Sequence, residues 1–260
     1  MAIEVRPDWW KSLFDEIYLV TDARSVSDGK VTRREVDLFC EILHLGTGDR
    51  ILDLCGGQGR HSLELSGRGF GGCTVLDYSE VLLEHGRVLA ADQESPVEFL
   101  QGDAADTGLP PGSFDHVLIL GNSLGYQAEE DGDRRIVEEA RRLLRPGGRI
   151  LVDVTNGRRI REAFTANAWH EIEGDIVVCR QRELHGDRIR AREVVLSKER
   201  GLVRDRAYAI RIYDPESLKA LVADAGFNDI DLHEKLPVRD DEGDRGFMNH
   251  RVIVTATRHG

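Results

Sequence analysis

The residues of this chain that are best suited to chemistry form one short segment, in which an acidic residue precedes a glycine-rich turn. Asp53 lies in an apolar stretch, and Gly56, Gly57 and Gly59 follow it. Glycine permits a sharp turn and leaves no Cβ between the backbone and a ligand. A strand, a glycine-rich turn and then a helix is the usual start of a nucleotide-binding α/β fold. The segment therefore predicts a nucleotide-type ligand that lies against the backbone of this turn.

The spacing of the glycines argues against phosphate-binding motifs. A dinucleotide fingerprint read from Gly57 puts Ser62 at the third small position, and one read from Gly56 puts Gln58 where the second glycine belongs. The sequence also lacks a G-x-x-x-x-G-K-[ST] loop. Asp53 would repel a pyrophosphate, whereas a ligand with a sulfonium and an ammonium group would be attracted to its carboxylate. S-adenosylmethionine has these groups and no phosphate.

Five motifs, in order, make the chain resemble the class I S-adenosylmethionine-dependent methyltransferases over roughly residues 35–155. The first motif resembles an acidic residue followed by G-x-G-x-G, with Cys55 in the place of the first glycine. The five motifs are Asp53–Gly59, Val75–Ser79, Gln101–Ala104, Phe114–Asn122 and Leu143–Gly148. The resemblance implies S-adenosylmethionine as the cofactor and methyl transfer as the activity.

Hydrophobic periodicity predicts an α/β fold with an insertion. Strand and helix patterns alternate between residues 50 and 154, which indicates a parallel sheet with helices on both faces. The resemblance implies a Rossmann-like, seven-stranded, mostly parallel sheet. Alternating runs between residues 168 and 213 predict antiparallel strands inserted after the fifth strand. Helices are predicted for residues 9–19 and 34–45, and strands at 229–236 and 250–257 are expected to complete the main sheet. We expect an N-terminal helical cap (1–34), an α/β domain (35–160 and 214–260) and an insertion (161–213) that covers the acceptor site or forms an interface; the polar segment 21–30 is predicted to be a connection.

Acidic residues at the ends of successive strands are the predicted cofactor ligands. Asp77 follows the glycine-rich turn at close to the roughly 20-residue offset at which a carboxylate meets a ribose diol. Asp103 is expected to accept from the adenine amine, and the Ala104 N–H to donate to the ring. The alternative is that Asp77 and Asp103 only cap the following helices. The complete set of expected cofactor-binding residues is Tyr18, Asp53, Cys55, Gly56, Gly57, Gly59, Asp77, Tyr78, Gly102, Asp103, Ala104, Gly121 and Asn122.

The predicted catalytic residues follow from the position of the site at the carboxyl ends of the strands. Tyr126 lies after the fourth strand and Asn156 after the fifth. An amine acceptor needs no protein base, but a hydroxyl acceptor usually needs one, and histidine is the usual choice. His170 is the best-placed histidine, although it can equally be a surface residue beside Trp169. The expected catalytic residues are therefore His170, Tyr126 and Asn156.

Composition limits the partners and the location. A net charge of −12 argues against binding to a polyphosphate backbone, and no apolar run is long enough to span a membrane. The four cysteines show no metal-binding spacing, and they suit a reducing cytoplasm. The D/N-P-P-Y pattern of base amino-methylases is absent after the fourth strand. We therefore expect a small-molecule methyl acceptor, no nucleic acid, no membrane, no metal and a cytoplasmic protein, with homodimerisation left open.

Three functions remain open at this point. The first is a methyltransferase that acts on a nitrogen or oxygen atom of a small molecule. The second is a nicotinamide-dependent oxidoreductase, against which the incomplete fingerprint and the lack of a Tyr-x-x-x-Lys pair argue. The third is a non-catalytic protein that binds S-adenosylmethionine.

Overall fold

The structure is a computed structural model that describes residues 2–21, 29–234 and 250–260. Most of the predicted connection 21–30 and the end of the strand predicted for 229–236 lie outside the described residues. The strands are β1 (Arg50–Leu54), β2 (Gly72–Asp77), β3 (Glu98–Gln101), β4 (Phe114–Ile119), β5 (Leu144–Thr155), β6 (Asn167–Ile172), β7 (Ile176–His185), β8 (Arg188–Ser197), β9 (Gly201–Arg211), β10 (Asn228–His233) and β11 (Arg251–Thr257). The helices are α1 (Trp10–Leu13), α2 (Glu16–Thr21), α3 (Gly29–Leu43), α4 (Arg60–Gly67), α5 (Glu80–Asp92), α6 (Gly132–Leu143), α7 (Gly157–Glu162) and α8 (Pro215–Asp224).

The main sheet has seven strands in the order β10-β11-β5-β4-β1-β2-β3. Strand β11 runs antiparallel to both of its neighbours, β10 and β5. The other five strands, β5, β4, β1, β2 and β3, pair in parallel with one another in that order. The predicted seven-stranded, mostly parallel sheet is confirmed. The strand order reverses between β1 and β4, and such a switch point opens a crevice at the carboxyl ends of the strands.

The core lies on both faces of this sheet because successive strand residues point to opposite sides. Val117 of β4 packs with Ile136 of α6 in one cluster. The next residue, Leu118, packs with Phe39 of α3 and Leu63 of α4 in the other. Every residue of β4 is buried, as expected for a strand that is covered by helices on both faces.

A second sheet of four strands, in the order β6-β7-β8-β9, follows β5 and is antiparallel throughout. The inserted antiparallel strands predicted for residues 168–213 are thus present. Helix α7, just ahead of this sheet, was missed because six residues are too few to show a helical period.

The N-terminal segment differs from the single helix that the pattern of Trp9 to Leu19 predicts. The Asp15 side chain accepts hydrogen bonds from the backbone N–H groups of Ile17 and Tyr18. An aspartate in this position starts a new helix, so α1 and α2 are separate. Helix α3 also begins at Gly29, ahead of the predicted start at Arg34.

The N-terminal segment lies between the two sheets and is bonded to both. Ser79, just after β2, donates a 2.6 Å hydrogen bond to the carbonyl of Phe14. Arg204 of β9 donates to the carbonyl of Leu13 and pairs with Asp15 at 2.8 Å. No helix in the described part of the chain is long and apolar enough to cross a membrane.

Candidate active site

A cavity of about 770 Å³ lies beyond the carboxyl ends of β1, β2, β4 and β5 and reaches the inserted sheet. Its volume is within the range of small-molecule and cofactor sites. The residues predicted from the sequence that line it are Tyr18, Asp53, Cys55, Gly56, Gly57, Asp77, Tyr78, Gly102, Asp103, Ala104, Gly121, Asn122, Tyr126 and His170. Gly59 and Asn156 are not among its lining residues. The predicted residues therefore converge on one cavity, with two exceptions.

The glycine-rich turn has the backbone conformation that the motif requires. Cys55, Gly57 and Gly59 all have positive φ angles, of 63°, 57° and 72°. A Cβ on Gly56 would lie 2.7 Å from Asp53 Cγ, and one on Gly59 would lie 2.8 Å from a ring carbon of Phe99. Gly59 therefore allows α4 to approach the sheet, while the turn before it forms the cavity wall. Cys55 adopts the conformation of the glycine that it replaces, and burial raises the pKa of its thiol well above the usual value.

Asp53 fits the cation of the predicted cofactor. Its side chain is 1% exposed, and Oδ2 accepts a 3.1 Å hydrogen bond from Ser62. Oδ1 has no hydrogen-bond partner among the described residues. Burial raises the pKa of Asp53 to about 7, against the opposing hydrogen bond from Ser62. A buried carboxylate oxygen that lacks a partner is stabilised by a cationic ligand such as an ammonium or sulfonium group.

This environment predicts that binding of S-adenosylmethionine strengthens as the pH rises. Below about pH 7 the cofactor-free protein holds Asp53 protonated, and binding of a cation must first release that proton. We expect the affinity to increase on the order of tenfold between about pH 5.5 and 7.5. Calorimetric titration across this range checks the prediction, with Asp53→Asn as the matched variant. An equally steep pH dependence in Asp53→Asn would show that another group is responsible.

Asp77, the predicted ligand of the ribose hydroxyls, lies at the end of β2 in the cavity wall. Its Oδ2 accepts a 2.8 Å hydrogen bond from the Gly57 N–H, and its Oδ1 accepts a 2.9 Å bond from the Ser79 N–H. Ser79 itself caps α5, since its Oγ accepts from the Leu82 N–H. Each carboxylate oxygen accepts more than one hydrogen bond, so Asp77 retains the capacity to bind hydroxyl groups. Burial raises the pKa of Asp77, opposed by hydrogen bonds from the backbone N–H groups of Ser79, Gly57 and Tyr78.

Asp103 and Ala104 lie at the neighbouring strand end. The Asp103 Oδ1 accepts a 2.9 Å hydrogen bond from the Ala105 N–H, which fixes the turn after β3. Asp103 pairs with Asp106 in an isolated bridge, and the residues that follow are not helical. The alternative that Asp103 caps a following helix is therefore not supported by the structure.

The loop after β4 and the end of β5 are joined by Asn122. Gly121 and Asn122 have positive φ angles of 67° and 65°, a conformation that is costly for asparagine and that concentrates at functional sites. The Asn122 Oδ1 accepts 2.9 Å hydrogen bonds from both the N–H and the hydroxyl of Thr155. Asn156, in contrast, uses its side chain as the cap of α7, where it accepts from the N–H groups of Arg158 and Arg159. We therefore leave Asn156 out of the catalytic set.

One face of the inserted sheet forms the far wall. The register pairs Ala168 with Arg180 and Arg182 with Ala191, and Ala191 with Tyr208. Because paired residues in a sheet share a face, these strands direct alternate residues to the same side. The lining residues on this wall include Ala168, His170, Arg180, Arg182, Tyr208 and Ile210. The sequence pattern identified the strands but not which face meets the cavity, so Arg180 and Arg182 were missed.

A buried network at the start of α4 was also missed. Glu35 of α3 pairs with Arg60 at 2.6 Å and with the Nε2 atom of His61 at 3.0 Å, and both partners line the cavity. Burial lowers the pKa of His61 to about 4, so its imidazole is neutral at pH 7. Burial alone would raise the pKa of Glu35, but the bond with His61 and the charge of Arg60 bring it below the usual range.

Comparisons with known proteins show methyltransferases that are similar to this chain. Residues 51–148 match the family described as "Methyltransferase domain". A demethylmenaquinone methyltransferase of Mycobacterium sp. is 32% identical over 155 residues, which is 58% of this chain and 61% of the relative. A ubiquinone/menaquinone biosynthesis C-methyltransferase of Pseudomonas fluorescens is 29% identical over 198 residues, 74% of this chain and 70% of the relative. The chain spans about half the length of the first curated relatives that it matches.

Solved structures extend the similarity beyond the matched segment. An S-adenosylmethionine-dependent methyltransferase from Clostridium acetobutylicum superimposes with a TM-score of 0.74 at 16% identity, over 94% of this chain and 97% of that one. The sugar N-methyltransferase KedS8 from Streptoalloteichus sp. gives a TM-score of 0.69 at 20% identity, over 100% of this chain and 99% of that one.

Residues 51–148 are a methyltransferase domain, and the fold of the chain is that of the class I S-adenosylmethionine-dependent methyltransferases. The matched segment includes the glycine-rich turn, Asp77 and Asp103, and the similarity in fold covers the inserted sheet as well. The resemblance inferred from the sequence is therefore confirmed, and S-adenosylmethionine is the cofactor of this class, as predicted.

Proposed function

We propose that this protein is an enzyme that transfers the methyl group of S-adenosylmethionine to a nitrogen or oxygen atom of a small molecule. The observation that carries the proposal is the buried Asp53 carboxylate, whose Oδ1 lacks a partner within the described residues at a cavity wall that bare backbone completes. A cationic cofactor supplies that partner. Asp77 would bind the ribose hydroxyls, Asp103 and Ala104 the adenine, and Tyr18 and Tyr78 the outer faces of the cofactor.

The reaction requires mainly alignment of the acceptor. Its lone pair forms a bond to the methyl carbon, the electron pair of the C–S bond returns to sulfur, and the acceptor loses its proton to solvent or to a base. Positioning of this kind accounts for a large share of the rate of enzymatic reactions between two bound groups. Tyr126 would hold the acceptor, and His170 would take the proton of a hydroxyl acceptor. The N-terminal cap and the inserted sheet would exclude water from both.

The proposed partner is a small molecule and not nucleic acid, because a net charge of −12 disfavours binding to a polyphosphate backbone. We assign a cytoplasmic location because the four cysteines, all within the described residues, are unpaired. The inserted sheet would also provide the interface of a homodimer, since Leu196 and Leu202 are exposed apolar residues on it.

The proposal is tested by turnover. We expect the full chain, incubated with S-adenosylmethionine and a pool of small metabolites, to produce S-adenosylhomocysteine above the rate of a heat-inactivated control. Mass spectrometry detects this product, and NMR of the methylated acceptor identifies the nitrogen, oxygen or carbon atom that was modified. Binding of the cofactor without turnover would instead support a non-catalytic binding protein. Binding of NADH in place of S-adenosylmethionine would support an oxidoreductase.

A further inference from the structure

The tryptophans and tyrosines of this chain are concentrated around one cavity. The chain has three tryptophans and five tyrosines. All of them except Tyr213 line the cavity, namely Trp9, Trp10, Trp169, Tyr18, Tyr78, Tyr126 and Tyr208. Phenylalanine shows the opposite distribution, because Phe14 is its only described representative in the lining, and Phe39, Phe70 and Phe114 are buried in the core. The aromatic lining is therefore a property of the site and not of the composition.

The contacts between these rings define two groups in the cavity lining. In the first group, Trp10 contacts Tyr78, the residue after Asp77, edge to face, with the ring centroids 4.9 Å apart. In the second group, the ring centroid of Tyr126 lies 5.0 Å from that of Trp9 and 5.6 Å from that of Phe14, on which Tyr126 stacks. Trp9 in turn lies 5.6 Å from Tyr208. We call the group of Trp9, Phe14, Tyr126 and Tyr208 the aromatic wall.

The aromatic wall comes from three separate parts of the chain. Trp9 and Phe14 belong to the N-terminal segment, Tyr126 to the loop after β4, and Tyr208 to β9 of the inserted sheet. None of its four residues belongs to the predicted cofactor-binding set, although Phe14 also contacts Tyr18 of that set at 4.9 Å between ring centroids. The exposed ring of Trp169, 71% accessible, continues the aromatic lining to the solvent.

The packing of the wall indicates what it binds. The centroids of its neighbouring rings lie 5.0–6.3 Å apart, so the rings pack on one another and do not enclose a cation as an aromatic cage does. They form instead a continuous surface that favours offset or edge contacts with another flat ring. Arg180 and Arg182 of β7, two strands from β9 in the same sheet, add planar guanidinium groups to the cavity lining, and such groups also stack on aromatic faces.

We propose that the methyl acceptor is a planar aromatic compound whose ring packs against the aromatic wall and carries the nucleophilic hydroxyl or amino group. This inference rests on the proposed function. The ring-attached oxygen or nitrogen forms the bond to the methyl carbon and loses its proton, and the C–S electron pair returns to sulfur. The ring fixes the nucleophile at the sulfonium end of the cofactor.

The proposal is tested with two alcohols of the same skeleton, 2-naphthol and decahydro-2-naphthol. Calorimetric titration of each into the full chain saturated with S-adenosylhomocysteine is expected to show at least tenfold tighter binding of 2-naphthol. Equal binding, tighter binding of the saturated alcohol, or binding of neither would overturn the ring assignment while leaving the methyltransferase proposal intact. If S-adenosylhomocysteine itself does not bind, the proposed function fails first.

Two variants separate the aromatic wall from the cofactor side. Tyr208→Leu keeps an apolar side chain and is expected to lower 2-naphthol affinity about tenfold without changing the affinity for S-adenosylhomocysteine. Tyr78→Leu is expected to lower the affinity for S-adenosylhomocysteine without changing the affinity for 2-naphthol. Tyr126→Leu provides a second wall variant if Tyr208→Leu does not fold. Equal losses for both ligands in a wall variant would contradict the division of the cavity.

Discussion

The Asp77→Ala variant is expected to bind S-adenosylhomocysteine about 5- to 150-fold more weakly than the unmodified protein, a loss of about 1–3 kcal/mol. Asp77 is the acceptor that the structure offers at the end of β2, where we propose that the ribose of the cofactor binds. Its removal leaves buried hydroxyl groups of the ligand without partners, and such groups lose their full hydrogen-bonding energy with water. Calorimetric titration of both proteins measures the difference.

The control must separate ribose binding from the structure of the turn, because Asp77 also accepts from Gly57 and Ser79. We therefore compare S-adenosylhomocysteine with its 2′-deoxy analogue. The unmodified protein is expected to prefer the hydroxylated ligand, and Asp77→Ala is expected to lose that preference. If the variant discriminates between the two ligands as well as the unmodified protein does, Asp77 is not the ribose ligand.

The cofactor half of the site was predictable because its signals are local. The turn at residues 55–59 needs glycines for reasons of backbone conformation, and each acidic residue lies within two residues of the end of a strand. In a parallel sheet the carboxyl ends of the strands meet at one edge. The sequence alone therefore places Asp53, Asp77 and Asp103 together at that edge. The seven-stranded sheet was predictable for the same reason, since alternating strand and helix patterns leave few arrangements.

The acceptor half was not predictable because it is assembled from distant segments. Trp9 and Tyr126 meet through packing between the N-terminal segment and the loop after β4, and no pattern in either segment reports the other. The buried network at the start of α4 was missed for the same reason, because His61 and Glu35 are 26 positions apart on different helices. An alternating pattern indicates that strand residues share a face, but burial alone does not say whether that face meets a core or a cavity.

Asn156 shows how two local signals compete. A polar residue at the carboxyl end of a central strand is typical of an active site in this type of fold. The same residue type is also a preferred helix N-cap, and α7 begins directly after it. Because α7 has six residues, the sequence contains almost no periodic signal for it, and the capping role became visible only in the structure.

The largest loss of stability is expected from Asp133→Ala, which removes a fully buried carboxylate from the start of α6. Asp133 accepts hydrogen bonds from the Tyr213 hydroxyl at 2.6 Å, the Gly125 N–H at 3.1 Å and Arg211 at 3.1 Å. Burial, together with the Asp133 charge, raises the pKa of Tyr213, so its hydroxyl remains a donor. Breaking a buried ion pair leaves an uncompensated charge, and we expect unfolding to require about 3–5 kcal/mol less free energy.

The matched control is Asp187→Ala, because Asp187 is the exposed second partner of the same Arg211 side chain. Exposed ion pairs contribute about 0–1 kcal/mol, so urea unfolding should separate the two variants clearly. Asp133 also connects the loop that carries Tyr126 to the end of β9, because it accepts hydrogen bonds from both the Gly125 N–H and the Arg211 side chain. Loss of Asp133 should therefore weaken 2-naphthol binding more than binding of S-adenosylhomocysteine. Equal stability of the two variants would show that this network does not hold the inserted sheet to the α/β domain.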